Sequence, residues 1–243
     1  MKFTKILLFA AMILLIGFVL FFYNAFNGNP VSKFLSKKEL QAHLEETYPG
    51  REFTVSGGAY NFKDGGYDFT AVEVGSGRGG EYRFFVRGFI IPQVVRDGIY
   101  DENLDVVLAE RLNEQIVAEI SPLIAERVGS LRDIKFYIEV LKGTYPDDVK
   151  WSKELAFEKP MDIFVGLDST NQSKEDFLKD TVVIKNILDE RGYHYDKIVF
   201  NGSGFDLGGK DSDSGYLKYA VSVKKDGEIK ERNIKEYNEE LWK

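Results

Sequence analysis

The sequence predicts an α+β protein in which an N-terminal transmembrane helix is followed by helix-plus-antiparallel-meander modules. Three observations carry that expectation. Ile6–Tyr23 runs for 18 residues without a charge or a proline. Alternating apolar segments are punctuated by Asp64-Gly65, by the glycine-rich stretch 75–80 and by Asp226-Gly227, all of them hairpin signals. Between these, residues from Leu104 to Ile124 repeat apolar side chains at three- and four-residue intervals, the period of a helix.

The 18-residue run would span roughly 27 Å as a helix, close to the thickness of a bilayer's hydrocarbon core. A cleaved signal peptide has a shorter apolar core and small residues before the cut. Here the exit reads Phe22-Tyr-Asn-Ala-Phe-Asn-Gly-Asn-Pro30, with no small-x-small pair, and no cysteine follows to carry a lipid. The reading is an uncleaved single-pass anchor over 6–26 behind a short flank, 1–5. Lys2, Lys5 and the amino terminus are the positive charges nearest the run, which places the N-terminus in the cytoplasm and the C-terminal domain outside, at the cell envelope. Residues 1–38 hold five Lys and no acid; with an overall charge of −7, the remainder carries −12. Such a body should be repelled by anionic headgroups.

Among 243 residues there are 32 Lys and Arg against 39 Asp and Glu, two His and no Cys. That acidic balance argues against nucleic acid as a partner, which calls for basic surface. Without cysteine there is no disulfide, thiol nucleophile or thiolate metal site.

Along the chain, 27–35 reads as a turn-rich linker around Asn27-Gly-Asn-Pro30. Residues 36–100 read as a first helix-meander module. Ser36-Lys-Lys-Glu39 matches a capping box, and the helix it opens carries Leu40, His43, Leu44 and Thr47 before Pro49-Gly50. Strands are expected over 51–62, 66–74 and 81–91, the last with Tyr82, Phe84, Val86 and Ile90 on one face. Residues 101–243 read as a second α+β module. Asp101 or Asn103 is expected to cap the long helix, and Pro122 to kink or restart it. Ile134, Phe136, Ile138 and Val140 alternate as a strand, 142–159 is irregular, and 161–167 is another strand. A helix capped at Ser173, strands near 196–200 and 215–224, and a final strand over 228–232 complete it. Leu44-Glu-Glu46 before Phe53–Gly57 is faintly echoed by Leu188-Asp-Glu190 before Ile198–Gly202, consistent with two related modules.

The basic start and long anchor, followed by Tyr48-Pro-Gly-Arg-Glu-Phe53 and Tyr60-Asn-Phe-Lys-Asp-Gly-Gly-Tyr67, resemble the YfjL-like membrane-anchored proteins of unknown function from Gram-positive bacteria. The matching features lie within roughly residues 1–75. The resemblance implies location and architecture, and no site residues.

Motifs for chemistry are sparse. Gly75-Ser-Gly-Arg-Gly-Gly80 spells G-x-G-x-x-G, but the strand pattern after it is wrong for a dinucleotide site, so it reads as a hairpin loop. Asp206, Asp211 and Asp213 in a Gly/Ser-rich loop are the candidate metal ligands, for Ca²⁺, although the EF-hand spacing fails. His43 reads as a half-buried, hydrogen-bonded imidazole and His194 as a packing or surface residue. Asn171-Gln-Ser173 and Asn201-Gly-Ser203 match the glycosylation triplet, with Ser173 better used as a cap. No nucleophile elbow, zinc-protease or P-loop motif is present, and no catalytic residue or cofactor is assigned.

The leading functional expectation is a non-enzymatic binding module that meets the membrane through its N-terminal helix and engages another envelope protein, a peptide or a wall component. An envelope enzyme using Asp/Glu acid–base groups, for example on glycan, is the alternative. A self-association domain is the third.

Overall fold

The computed structural model describes residues 2–75, 80–205 and 215–237. The chain divides into two compact units, 1–103 and 104–243.

In the first unit, helix α1 (Lys2–Asn27) is followed after Gly28-Asn29 by α2 (Pro30–Thr47). The apolar side chains of α1 from Ile6 to Phe26 are exposed, and the helix is long and apolar enough to cross a membrane. The capping box expected at Ser36 is not formed. Helix α2 begins seven residues earlier because Asn29, in extended conformation, accepts the Ser32 N–H and Pro30 fits the first turn, where a missing N–H costs nothing. Ser36 lies on the buried stripe Ser32, Ser36, Leu40 and Leu44. The 27–35 linker therefore shrinks to two residues.

Strands β1 (Phe53–Asn61), β2 (Gly66–Glu73), β3 (Glu81–Arg87) and β4 (Gln93–Asp97) form an antiparallel sheet in sequence order. Leu40 and Leu44 of α2 pack on Val55, Phe69, Ala71, Phe84 and Val86. The third strand is shorter than the alternation implies. Gly88, at φ 114°, turns the chain, Ile90 is exposed in that turn, and β4 returns as a fourth strand. Strands β2 and β3 are antiparallel neighbours, Val72 pairing with Glu81, while residues 76–79 of the glycine-rich stretch expected as their hairpin loop lie outside the described residues. Asp97 then caps the short helix α3 (Gly98–Glu102).

In the second unit, Asp105, rather than Asp101 or Asn103, caps α4 (Val106–Ala125). Its stripe Leu108, Leu112, Ile116, Ile120 and Ile124 is buried. Pro122 neither restarts nor ends this helix early; it falls in the last turn, where only one intrahelical bond is lost. Strands β5 (Leu131–Tyr137), β6 (Met161–Asp168), β7 (Tyr195–Gly204), β8 (Tyr216–Lys224) and β9 (Lys235–Glu236) form the second sheet, again in sequence order.

This sheet is not a pure meander, because β6 and β7 pair in parallel. Parallel neighbours need a crossover, and helix α5 (Lys174–Glu190) supplies it, capped by a complete Ser173/Asp176 box. Met161, Ile163, Val165 and Leu167 alternate inward on β6 and join Phe177, Ile184 and Leu188 of α5 in the core. The expected 228–232 strand is absent. After the Asp226-Gly227 turn the chain leaves the ladder so that Ile229 and Ile234 reach the core, and pairing resumes only at Lys235 and Glu236.

Candidate ligand-binding cleft

Three polar side chains at i, i+4 and i+8 on α4 hold the irregular segment between β5 and β6. Arg111 donates to the carbonyls of Asp147 and Val149, Gln115 accepts the Trp151 N–H at 2.7 Å, and Glu119 accepts the Trp151 Nε1–H at 3.1 Å. Within the segment the Tyr145 hydroxyl donates to the Ala156 carbonyl at 2.6 Å. A stretch without regular secondary structure is thereby fixed, several of its backbone groups paired with side chains.

The fixed segment forms a cleft of about 500 Å³ with the Gly192–His194 turn. The buried Tyr193 ring lies nearly parallel to the Trp151 ring, at 10° and 6.2 Å between centroids, and Phe157 is parallel to Trp151 at 3° and 6.4 Å. Glu119 links the assembly: its Oε1 accepts the Tyr193 hydroxyl at 3.0 Å and lies 3.4 Å from Lys153 Nζ. Burial, then the hydrogen bond to Glu119, pushes the Tyr193 phenol well up, so it is protonated at any physiological pH. Lys153, Glu154, Glu158 and Lys159 give the rim both signs of charge, and His194 is exposed at its edge. Aromatic walls with a few convergent polar groups form a surface for binding. Among the described residues, the carboxylates whose titration the structure moves (Glu73, Asp97, Asp168, Asp176, Asp189 and Glu228) are all shifted down, toward the ionised form, opposite to the need of a general acid.

The other residues singled out by sequence have structural roles or lie elsewhere. His43 Nε2 is 2.7 Å from Asp97 Oδ2, which also accepts the Tyr48 hydroxyl at 2.9 Å. Burial would raise the Asp97 pKa, but the bonds from His43, the Tyr100 amide and Tyr48 outweigh it and hold the carboxyl low. Arg51 forms a two-pronged pair with Glu73, both bonds at 2.7 Å, and lies over the rings of Tyr48, Phe53 and Tyr82 at 5.0–5.6 Å. The Tyr48–Phe53 motif is thus a lock between α2 and the sheet. Asp206, Asp211 and Asp213 lie outside the described residues. Among the described residues, no group of three or more His, Asp or Glu is placed to hold a metal ion.

The cleft was missed from sequence because its parts are scattered over 111–193. The signal available was the polar spacing of Arg111, Gln115 and Glu119 along the flank of the apolar stripe of α4.

Fold and cleft together define a two-unit α+β protein with a long apolar N-terminal helix. The N-terminal domain model of the YfjL-like family matches residues 3–98, and its C-terminal domain model matches residues 115–237. The chain belongs to the YfjL-like family. It is 30% identical over 226 residues to the "Uncharacterized protein YfjL" of Bacillus subtilis (strain 168), covering 92% of this chain and 94% of that protein. A DUF5037 family protein from Ruminococcus gnavus, known from a crystal structure, aligns with 71% of this chain and 75% of its own at 12% identity and a TM-score of 0.21.

Proposed function

We propose that this protein is a single-pass, membrane-anchored binding protein of the cell envelope, with its N-terminus in the cytoplasm and its C-terminal unit outside, and that it acts by holding an envelope polypeptide in the Trp151–Phe157–Tyr193 cleft. The cleft is the observation that carries the reading. The half-buried Trp151 and Phe157 offer apolar surface to a partner side chain, while the mixed Lys/Glu rim suits the mixed charges of a polypeptide segment. The anchor is supported by the uncharged run in α1 and its exposed apolar surface. The orientation is supported by Lys2 and Lys5.

The test places a photo-crosslinking phenylalanine analogue at Phe157 of the full-length protein in its native membrane. One envelope polypeptide should be recovered repeatedly, and its yield should fall when Trp151→Ala is added. Recovery of no specific polypeptide, or recovery indifferent to Trp151, overturns the reading and turns attention to a glycan or small ligand. Protease added to intact cells tests the orientation: it should remove the C-terminal unit, and full protection refutes the assignment.

A further inference from the structure

Two hairpin turns of the first unit lie at the same end of its sheet. Asn61 pairs with Gly66 across the first, Arg87 pairs with Gln93 across the second, and Gly66 pairs with Arg87 between them. The Arg87 Nε–H donates to the Asp64 carbonyl at 3.0 Å, so the turns are joined side by side. Both expose large apolar side chains: Phe62 in the first, and Phe89, Ile90 and Ile91 in the second, with Ile90 76% and Ile91 78% exposed. Three consecutive exposed apolar residues are unusual for a surface facing only water.

The end of α1 lies at the same edge. The Phe26 ring meets the Phe62 ring at 5.6 Å, and Tyr67, the second residue of β2, bonds to Asn29 just beyond α1. Helix α2 then starts with Val31 and Phe34 exposed. Helical spacing puts these two on one side with Lys38 and Glu45, opposite the buried stripe, so that face changes from apolar to basic to acidic with distance from α1. Lys33, Lys63 and Arg87 also belong to this end, with Asp64 as the acid among them. The order of apolar tips, then cations, then acids matches a bilayer's passage from acyl chains to anionic headgroups to water.

We propose that this end of the first unit is seated in the bilayer, with Phe62, Phe89, Ile90, Ile91 and Phe34 entering the headgroup–acyl boundary and Lys33, Lys63 and Arg87 facing anionic headgroups. The proposal rests on α1 spanning the membrane, since that helix delivers this edge of the sheet to the bilayer surface. It modifies the simple expectation of an acidic body held off the membrane: at this end of the first unit the cations Lys33, Lys63 and Arg87 outnumber Asp64. The cations also set a lipid preference, because anionic headgroups attract Lys and Arg held near the surface.

The test uses the full chain with Trp151→Phe and Trp242→Phe, reconstituted in phosphatidylcholine vesicles with and without phosphatidylglycerol and with acyl chains brominated near the headgroup. Single tryptophans are introduced as Phe62→Trp, Ile90→Trp, Val74→Trp at the opposite end of the sheet, and Phe18→Trp within α1. The expected result is blue-shifted emission quenched by bromolipid at positions 62, 90 and 18 but not 74, with quenching at 62 and 90 increased by phosphatidylglycerol. Quenching at 18 with water-like, unquenched emission at 62 and 90 overturns the seated edge and leaves the anchor standing. Loss of quenching at 18 overturns the anchor and this proposal with it. Equal quenching at 74 also counts against a specific edge.

Discussion

The Tyr67 hydroxyl accepts the Asn29 N–H at 2.8 Å and donates to the Asn29 carbonyl at 2.9 Å, closing a two-way contact across the break between α1 and α2. The Ser32 hydroxyl approaches the same phenol oxygen at 2.7 Å. The Tyr60 ring packs against Tyr67 at 5.0 Å, so both ends of the Tyr60–Tyr67 motif support a joint that fixes how the apolar helix enters the sheet domain. Tyr67→Phe should destabilise this unit by about 1–3 kcal/mol, because it leaves the Asn29 N–H without its partner. A lower thermal midpoint of the full chain in detergent, with faster hydrogen exchange at Asn29, is the expected result; an unchanged midpoint and exchange rate would show that the contact is dispensable.

Gly28 couples to the same phenol. It has φ 67°, and an added Cβ would collide with the Tyr67 oxygen and with the Tyr60 ring. Gly28→Ala should therefore destabilise the protein more strongly than Tyr67→Phe. The double variant should be less unstable than the two losses added together, since removing the hydroxyl relieves the Tyr67 part of the collision and leaves the Tyr60 ring and the backbone strain. Denaturant midpoints of the four proteins in this cycle measure the coupling, and strict additivity would exclude it.

In the cleft, Glu119→Leu should release Trp151 and Lys153 while leaving a hydrophobic replacement beneath the aromatic rings. The variant, in a Trp242→Phe background, should show red-shifted Trp151 emission and reduced polypeptide crosslinking at Phe157. If emission and crosslinking both matched the parent, Glu119 would have no part in shaping the cleft.

These cases show where sequence patterns were sufficient. The buried stripe of α4 and the alternation on β6 follow from apolar spacing, and Ser173 is used as its neighbours indicate, because these signals are local. The start of α2 is not legible locally, because Asn29 and Ser36 are both residue types that cap helices and only the packed sheet reveals that Ser36 faces inward. Strand β4 lacks alternation because it is an edge strand with mostly exposed side chains behind Pro92. The clamp from Arg111, Gln115 and Glu119 joins residues more than 30 positions apart, a relationship no short window contains.

Asp189 gives the second unit an acid-sensitive contact. Burial alone would raise its pKa, but Lys185 Nζ at 2.6 Å, Lys225 Nζ at 2.8 Å and the Tyr195 hydroxyl at 2.6 Å outweigh it and lower the value from 3.8 to about 2. A carboxyl with a depressed folded-state pKa contributes stability above its unfolded value, and that contribution is lost as pH falls through the folded value. The contribution, roughly 1–2 kcal/mol after allowance for partial exposure, should disappear between about pH 4 and pH 2. Asp189→Asn should lower stability at pH 6 and flatten the acid limb of the stability profile in this window. A variant profile parallel to the parent's would assign the acid sensitivity to other groups.

Ser36→Ala separates the two readings of α2 by sign. As an N-cap, Ser36 would lose about 1 kcal/mol of stability on replacement by alanine. In the folded unit it is instead fully buried within the helix, and its Oγ has no hydrogen-bond partner among the described residues. Alanine removes that buried polar atom and has the higher helix propensity, so the substitution should raise stability by roughly 0.5–1 kcal/mol. Thermal and denaturant unfolding of the full chain in detergent should both shift upward. A downward shift would show that the hydroxyl satisfies a group on which the start of α2 depends.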